Sequence, residues 1–302
     1  MNGGFRIDII KNIKEAQKLW NLFSPNQTLW ENWDFRYCFY KYFNYELFFY
    51  LGYLKDKPMG LMPLQYDSDK DYLEFFGGEF MEENQVFIRP GMEELIPNFY
   101  QNIQNTNLKC NLGDISNTNP NLKLELDEYK YIYNLSGLST PDQVLTKYLK
   151  PKRRKNKQTI FQELNEQYRV KELINNYDDL DLMISLNIKN FKSESSFNLP
   201  HRIEIFRDLL NWKKAVYLIT LVINEKKQAV SFAIKHKNQY VFLNSGANKK
   251  EFPDLGSYLT YKNIEQAINA ESQVFDACSG DCGWKEMWHF EKIPQFKFVT
   301  GV

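Results

Sequence analysis

Hydrophobic and polar positions in the first half of the chain follow the periods of strands and helices. Residues 5–10 alternate with the period of a strand, and residues 13–23 have apolar side chains at helical spacing. Residues 47–54 and 58–66 predict a hairpin that turns at residues 55–57. The remaining predicted elements of this half are helices over 29–43 and 91–103, and strands over 72–76, 108–111, 123–126 and 130–135.

The second half repeats this mixture around a meander of three strands. Its predicted helices cover 141–165 (interrupted near Pro151), 178–191, 200–212, 257–269 and 284–291, and its predicted strands cover 168–173, 215–223, 228–235, 239–245, 273–277 and 296–299. Residues 136–141 contain the turn-forming residues that separate the halves. We therefore predict an α/β chain with mixed α+β sheets, divided into domains at 1–135 and 136–302.

The composition of the 302 residues is that of a globular chain, with 43% hydrophobic and 25% charged residues. The longest apolar runs, such as residues 48–51, are far shorter than the roughly 18 residues that cross a bilayer. We therefore expect neither a membrane span nor a secretory signal. Four cysteines do not make a disulfide framework in a chain of this length, which favours a reduced, cytoplasmic protein.

The net charge is zero, but the charge is unevenly distributed. Residues 1–149 have 14 basic and 20 acidic side chains, and residues 150–302 have 24 and 18, which gives −6 and +6. An anionic ligand is therefore expected in the second half. The helix that begins near Ser257 is a candidate site, because Gly256 leaves backbone N–H groups at its N-terminus uncovered. The alternative is that Gly256 only permits a turn.

A second group of motifs follows the strand at residues 273–277. Phe275 and Asp276 lie on this strand, Gly280 and Asp281 lie in the next loop, and Trp284 and Lys285 open a helix. These pairs resemble the C-terminal signature of tandem GNAT-fold acyltransferases, the group related to CelD-type proteins and to the Fem peptidyltransferases. In that family a strand with Phe-Asp precedes a glycine-containing loop and an aromatic–Lys pair.

The resemblance extends over nearly the whole chain through short motifs. The basic run at residues 150–157 is similar to the Arg/Lys-rich helix that opens the family's second domain, and residues 30–43, 58–64 and 73–78 are similar to its first domain. The resemblance implies two tandem GNAT-like domains, each a mostly antiparallel sheet flanked by helices. One departure is the GNAT pyrophosphate loop with two glycines around a basic residue, of which only Gly256 remains.

The resemblance implies a GNAT-type N-acyltransferase that moves an acyl or aminoacyl group from a thioester or tRNA-linked donor to an amine. Acyl-CoA is the favoured donor and aminoacyl-tRNA the less favoured one. The implied donor-binding residues are Asn244, Ser245, Gly256, Ser257 and Tyr258.

The implied catalytic residues are Asp276, which accepts a proton or orients the acceptor, and Lys285, which balances developing charge. Their alternatives are a structural hydrogen bond and a surface lysine. Arg153, Arg154 and Lys157 are candidate contacts for an anionic donor or substrate.

Other functions remain open on the sequence. The basic run and the abundant aromatic residues are also compatible with a non-catalytic GNAT-like protein that binds RNA or another anion. We expect no metal, because Cys278, Cys282 and His289 lack a recognisable fourth ligand. The acceptor is expected to be a small-molecule amine or a cell-envelope precursor, and the sequence does not determine which, nor the oligomeric state.

Overall fold

The computed structural model describes residues 4–106, 108–117, 119–280 and 283–301, so Asp281 and Cys282 lie outside the described residues. Contacts group the chain into two compact units. The first unit comprises residues 1–130 and 293–302, and the second comprises residues 131–292. The C-terminal strand segment thus returns to the first unit, which the sequence-based division at 135/136 does not anticipate. Within the described ranges, the helices are too short or too polar to cross a membrane.

The first ten elements extend from the N-terminus to β7, the strand that contains the division between the two units at residues 130/131. In chain order it comprises β1 (Phe5–Ile10), α1 (Ile13–Phe23), α2 (Trp33–Tyr40), β2 (Glu46–Leu54), β3 (Lys57–Asp67), β4 (Tyr72–Phe75), β5 (Phe87–Ile88), α3 (Ile96–Gln104), β6 (Cys110–Ile115) and β7 (Glu125–Asn134). The remaining elements are α4 (Pro141–Tyr148), α5 (Pro151–Gln167), β8 (Val170–Ile174), α6 (Leu180–Phe191), α7 (Arg202–Leu209), β9 (Val216–Ile223), β10 (Lys226–His236), β11 (Gln239–Ala247), α8 (Leu255–Asn269), β12 (Val274–Ser279), α9 (Trp284–Trp288) and β13 (Glu291–Thr300).

The sheet of the first unit has the order β1-β2-β3-β4-β6-β13, and β5 pairs with β3. Its described pairings are antiparallel except for β4 with β6. Aromatic side chains dominate the core beside α1, where Trp20 packs edge-on against Phe87 with ring centroids 4.8 Å apart.

The sheet of the second unit has the order β7-β12-β11-β10-β9-β8. Strands β8 to β11 pair in an antiparallel manner, and β11 and β12 are parallel neighbours connected through α8. The described ladder between β11 and β12 covers Gln239–Val241 and Val274–Asp276, and beyond it these two strands are not paired with each other. The register of β10 against β11 also shifts at Phe232/Ala233, a bulge that bends β11. These two irregularities lie beside the cavity described below.

The predicted α/β architecture with mostly antiparallel mixed sheets flanked by helices is confirmed, and several element boundaries differ. The predicted helix over 29–43 is a 3₁₀ turn (Leu29–Glu31) followed by α2, because the Asn32 side chain caps a new helix by accepting the Phe35 N–H. The strands predicted over 123–126 and 130–135 form the single strand β7. Helix α8 begins at Leu255, ahead of the predicted start at Ser257.

Candidate functional site

A cavity of about 310 Å³ lies in the second unit, where β11 ends and α8 begins. Helices α5, α6 and α9 supply the rest of its wall. Of the residues singled out in the sequence, Lys157, Ser245, Gly256, Ser257 and Trp284 line it. The cavity therefore combines the N-terminus of α8 with the polar side chains of Lys157, Ser245 and Ser257.

The N-terminal turn of α8 exposes backbone donors to this cavity. The Leu255 N–H donates to the Phe252 carbonyl and the Tyr258 N–H to the Asp254 carbonyl, whereas the described residues provide no backbone acceptor for the N–H groups of Gly256 and Ser257. A Cβ placed on Gly256 would meet only Lys249 Cε, at 3.5 Å. Gly256 therefore keeps the helix end open, and whether an anion binds there stays a prediction.

Lys157 extends from α5 into the cavity. Its Nζ donates a hydrogen bond of 2.7 Å to Ser257 Oγ and lies 3.9 Å from the centroid of the Trp288 ring. Burial lowers the pKa of Lys157 to about 8, with a further lowering by Arg153 and an opposing effect of Asp254. Such a half-buried amine gains its full charge most readily when an anion binds beside it.

Apolar and aromatic side chains also line the cavity, next to the lysines. They include Phe191, Phe242, Trp284, Met287 and Trp288. Trp284 stands edge-on to Phe242, with ring centroids 6.3 Å apart, and Trp288 is buried. A ligand with one anionic end and one apolar segment matches this lining.

Two of the residues predicted to bind the donor lie away from the cavity. Asn244 connects β11 to neighbouring elements, because its Oδ1 accepts from Asn187 Nδ2 at 2.7 Å and its Nδ2 donates to Ser196 Oγ at 3.2 Å. The Tyr258 side chain is 3% exposed and belongs to the core of the second unit, and its hydroxyl bonds to Asn165. On a helix, successive residues point about 100° apart, so Ser257 can face the cavity while Tyr258 faces the core.

Asp276 and Lys285 both bind the backbone of Cys278 at the end of β12. Asp276 Oδ1 accepts the Cys278 N–H at 2.9 Å, and Lys285 Nζ donates to the carbonyls of Cys278 (2.9 Å) and Ser279 (2.6 Å). Both side chains are buried, and Cys278 has a φ of 65°, in the left-handed region. The two charged residues therefore hold an unfavourable backbone turn, the structural alternative considered for Asp276.

The other basic residues of α5 lie outside the cavity wall. Arg153 is exposed and its guanidinium donates to the Met287 carbonyl at 3.2 Å, and Arg154 is half-buried. Lys150, Lys152 and Lys155 are exposed. The basic run thus divides into Lys157, which reaches the cavity, and an exposed face.

Comparison with known protein families identifies the segment that contains this cavity. Residues 151–286 match the family described as acetyltransferase (GNAT) domain. This segment is thus similar in sequence to a GNAT domain. No curated protein matches the chain. The GNAT resemblance is therefore confirmed, and the cavity lies almost entirely within the GNAT segment.

Solved structures show that the likeness in fold extends beyond the GNAT segment. FemX is 9% identical with a TM-score of 0.60, and the match covers 98% of this chain and 97% of FemX. A tandem GNAT protein from the clavulanic acid biosynthesis pathway is 8% identical with a TM-score of 0.55, and the match covers 99% of both chains. L-PGS from Bacillus licheniformis is 10% identical with a TM-score of 0.56, covering 95% of this chain and 91% of that one. The chain has the tandem GNAT fold.

Several cavity residues were not found by reasoning from the sequence. Phe191 and Trp288 were assigned only to helices, and Lys249 was noticed only as part of a basic loop. The sequence did offer a signal for Lys249, because this lysine lies seven positions before Gly256, the glycine at the start of the predicted anion-binding helix. Phe191 and Trp288 had none, since their positions depend on how α6 and α9 pack.

Proposed function

We propose that the GNAT domain binds an acyl thioester of coenzyme A and transfers the acyl group to an amine. The single observation that supports this most is the cavity that combines a bare helix N-terminus with an aromatic wall. Helix N-termini bind phosphate through free N–H groups and the helix dipole. The aromatic wall suits the uncharged arm of such a donor.

Each part of the donor has a proposed contact. The phosphates bind the N–H groups of Gly256 and Ser257, with Lys157 and Lys249 as nearby cations. The uncharged arm lies along Trp284 and Trp288. The thioester lies against β11 beyond Val241, where that strand is no longer paired with β12.

In the proposed reaction the amine nitrogen attacks the thioester carbonyl carbon. A C–N bond forms, the C–S bond breaks, and coenzyme A leaves with the proton that the amine gives up. Backbone donors of β11 are suited to stabilise the negative charge on the carbonyl oxygen. The catalytic roles of Asp276 and Lys285 stay predictions, and their bonds to Cys278 support a positioning role at the end of β12.

Calorimetry with the full chain tests donor binding. We expect acetyl-CoA and coenzyme A to bind, and pantetheine, which lacks the phosphates, to bind at least about tenfold more weakly. Release of thiol in the presence of a panel of primary amines then tests transfer. Failure of every coenzyme A derivative to bind would overturn the proposal. Binding without thiol release for any amine would support the non-catalytic alternative.

The affinity for acetyl-CoA is expected to fall as the pH rises through 8. Lys157 has a pKa of about 8, so it is charged below that pH and neutral above it, and only the charged form pairs with a phosphate. We expect the dissociation constant to rise about tenfold between pH 7 and pH 9. Calorimetric titrations across this range provide the measurement.

The matched variants for this pH dependence lie on one helix. Lys157→Met is expected to weaken binding at pH 7 and to remove the pH dependence, whereas Lys155→Met changes an exposed lysine and is expected to change neither. A Lys157→Met protein that retains the wild-type pH profile would show that another group titrates.

Aminoacyl-tRNA is the second candidate donor, favoured by the exposed basic face of α5. Contacts between lysines or arginines and phosphates release counterions, so a true tRNA complex weakens steeply as salt rises. We expect no tRNA complex to persist near physiological salt. A gel-shift titration over salt concentration measures this, and a complex that is stable at that salt and lost in a variant of Arg153 and Arg154 would favour the tRNA donor.

A further inference from the structure

A second cavity, of about 320 Å³, lies within the first unit, beside the ends of β4 and β6. Four carboxylates line it, those of Glu74, Glu79, Asp114 and Asp127. Among the described residues, Lys297 is the only lysine of the wall, and its Nζ is 3.8 Å from Asp127 Oδ1. The described wall therefore has an excess of negative charge and of hydrogen-bond acceptors.

An unused acceptor in this wall points to a ligand. Asn84 is 3% exposed, and its Nδ2 donates to the carbonyls of Met81 (2.9 Å) and Gly113 (3.0 Å). These two bonds fix the orientation of the amide, and its buried Oδ1 has no hydrogen-bond partner among the described residues. A buried acceptor without a donor costs about 1–3 kcal/mol, which a donor in the cavity would recover. Asp114 Oδ1 is likewise buried without a partner.

Two of the four carboxylates are ion-paired, Asp127 with Lys297 and Glu79 with Lys70 at 3.2 Å, whereas the described residues form no ion pair with Asp114 or Glu74. Burial raises the pKa of Asp114 above its ordinary range, and the neighbouring carboxylates of Glu82, Asp127 and Glu128 raise it further, while Arg36 is the nearby cation. A bound cation would supply the missing positive charge.

Glu74, another carboxyl of the wall, also has a pKa raised by burial. Burial raises the pKa of Glu74 to about 7, against the opposing effects of Gln65 and Lys70 and with additional raising by Asp67 and Glu79. Protons and a cationic ligand therefore compete for both Glu74 and Asp114.

The shape of the site favours an organic cation over a metal ion. A metal needs several ligand atoms around one point, and within the described residues no three carboxylates of this wall come within 4.8 Å of one another. The volume is at the lower end of small-molecule sites, and it is about ten times the volume of one water molecule. A primary ammonium has three donors and no acceptor, which matches a wall of acceptors.

We propose that this cavity binds a small organic cation with primary ammonium groups, of the diamine class, through Asp114, Glu74 and Asn84 Oδ1. The proposal is independent of acyl transfer in the second unit, because it concerns binding within the first unit alone. Ammonium groups donate to the carboxylates and to the free amide oxygen, and the carbon chain between them lies beside Phe75 and Met81.

Calorimetry with the full chain and 1,4-diaminobutane tests this proposal. We expect binding that becomes tighter from pH 6 to pH 8.5 and that releases protons, seen as a heat that depends on the ionisation enthalpy of the buffer. N-acetyl-1,4-diaminobutane lacks one ammonium group and is expected to bind at least about tenfold more weakly. Magnesium chloride serves as the metal probe and is expected not to compete.

Two variants and one control identify the site. Asp114→Asn and Glu74→Gln keep the shape of each side chain, and each is expected to weaken diamine binding at least about tenfold at pH 8.5. Glu94→Gln changes an exposed carboxylate outside the cavity and is expected to leave binding unchanged. Thermal unfolding without ligand checks that each variant is folded. The proposal is overturned if the wild type does not bind the diamine, if both variants bind it normally, or if magnesium displaces it.

Discussion

Gly256→Val is expected to abolish donor binding by the GNAT domain without destabilising the protein. Gly256 does not have a positive φ, and a Cβ there would make only an ordinary contact with Lys249 Cε at 3.5 Å. The backbone therefore does not require glycine, and valine has the higher helix propensity. The branched side chain would, however, occupy the space in front of the free N–H groups where we place the phosphates. We expect affinity for acetyl-CoA to fall at least about 100-fold, which is about 2.7 kcal/mol.

A graded pair of variants separates this effect from unfolding. Gly256→Ala adds one methyl group and is expected to weaken binding less than Gly256→Val, while both keep a wild-type or higher midpoint of chemical unfolding. Calorimetry gives the affinity and denaturant titration gives the stability. Wild-type affinity in the valine variant would show that the donor does not approach the N-terminus of α8.

Lys285→Met is expected to destabilise the second unit by about 3 kcal/mol, because it leaves the carbonyls of the buried Cys278 and the half-buried Ser279 without their charged donor. Asp276→Ala is expected to cost about 1–3 kcal/mol, since it removes the acceptor of the Cys278 N–H. Asp276→Asn keeps an oxygen for that N–H and is expected to cost less. The φ of 65° at Cys278 makes this turn dependent on both side chains.

Stability and turnover measured on the same variants distinguish positioning from catalysis. Lys250→Met, which changes an exposed lysine, is the control and is expected to shift stability by less than about 0.5 kcal/mol. If the residues position the end of β12, turnover falls together with stability and the KM for the donor rises. A 10²- to 10³-fold loss of kcat in a Lys285→Met protein of wild-type stability would instead support the catalytic role predicted from sequence.

The sequence determined what depends on local pattern. Strand alternation predicted β1, and apolar runs joined by short polar turns predicted the hairpin of β2 and β3 and the meander from β9 to β11, each within a few residues of its observed bounds. Gly256 and Ser257 were predicted as an anion site because a glycine at a helix start leaves backbone donors uncovered, which is a property of adjacent residues. The motifs with Phe275–Asp276 and Trp284–Lys285 indicated the GNAT domain, since the family resemblance is read from residue types in order along the chain.

The tertiary structure decided which side chains share a cavity. Lys157 contacts Ser257 across 100 positions of sequence, and Trp288 completes the wall only because α9 packs beside α5. Tyr258 and Asn244 were assigned to the donor site from their places in the motif. In the structure the Tyr258 side chain packs in the core, and the Asn244 side chain accepts a hydrogen bond from Asn187. The acidic cavity of the first unit has no sequence signal, because Glu74 and Asp114 meet through the pairing of β4 and β6, and Asn84 joins them through a bridge to Ile115. Local pattern fixes elements and helix ends, whereas burial, charge and cavity shape arise from contacts between residues distant along the chain.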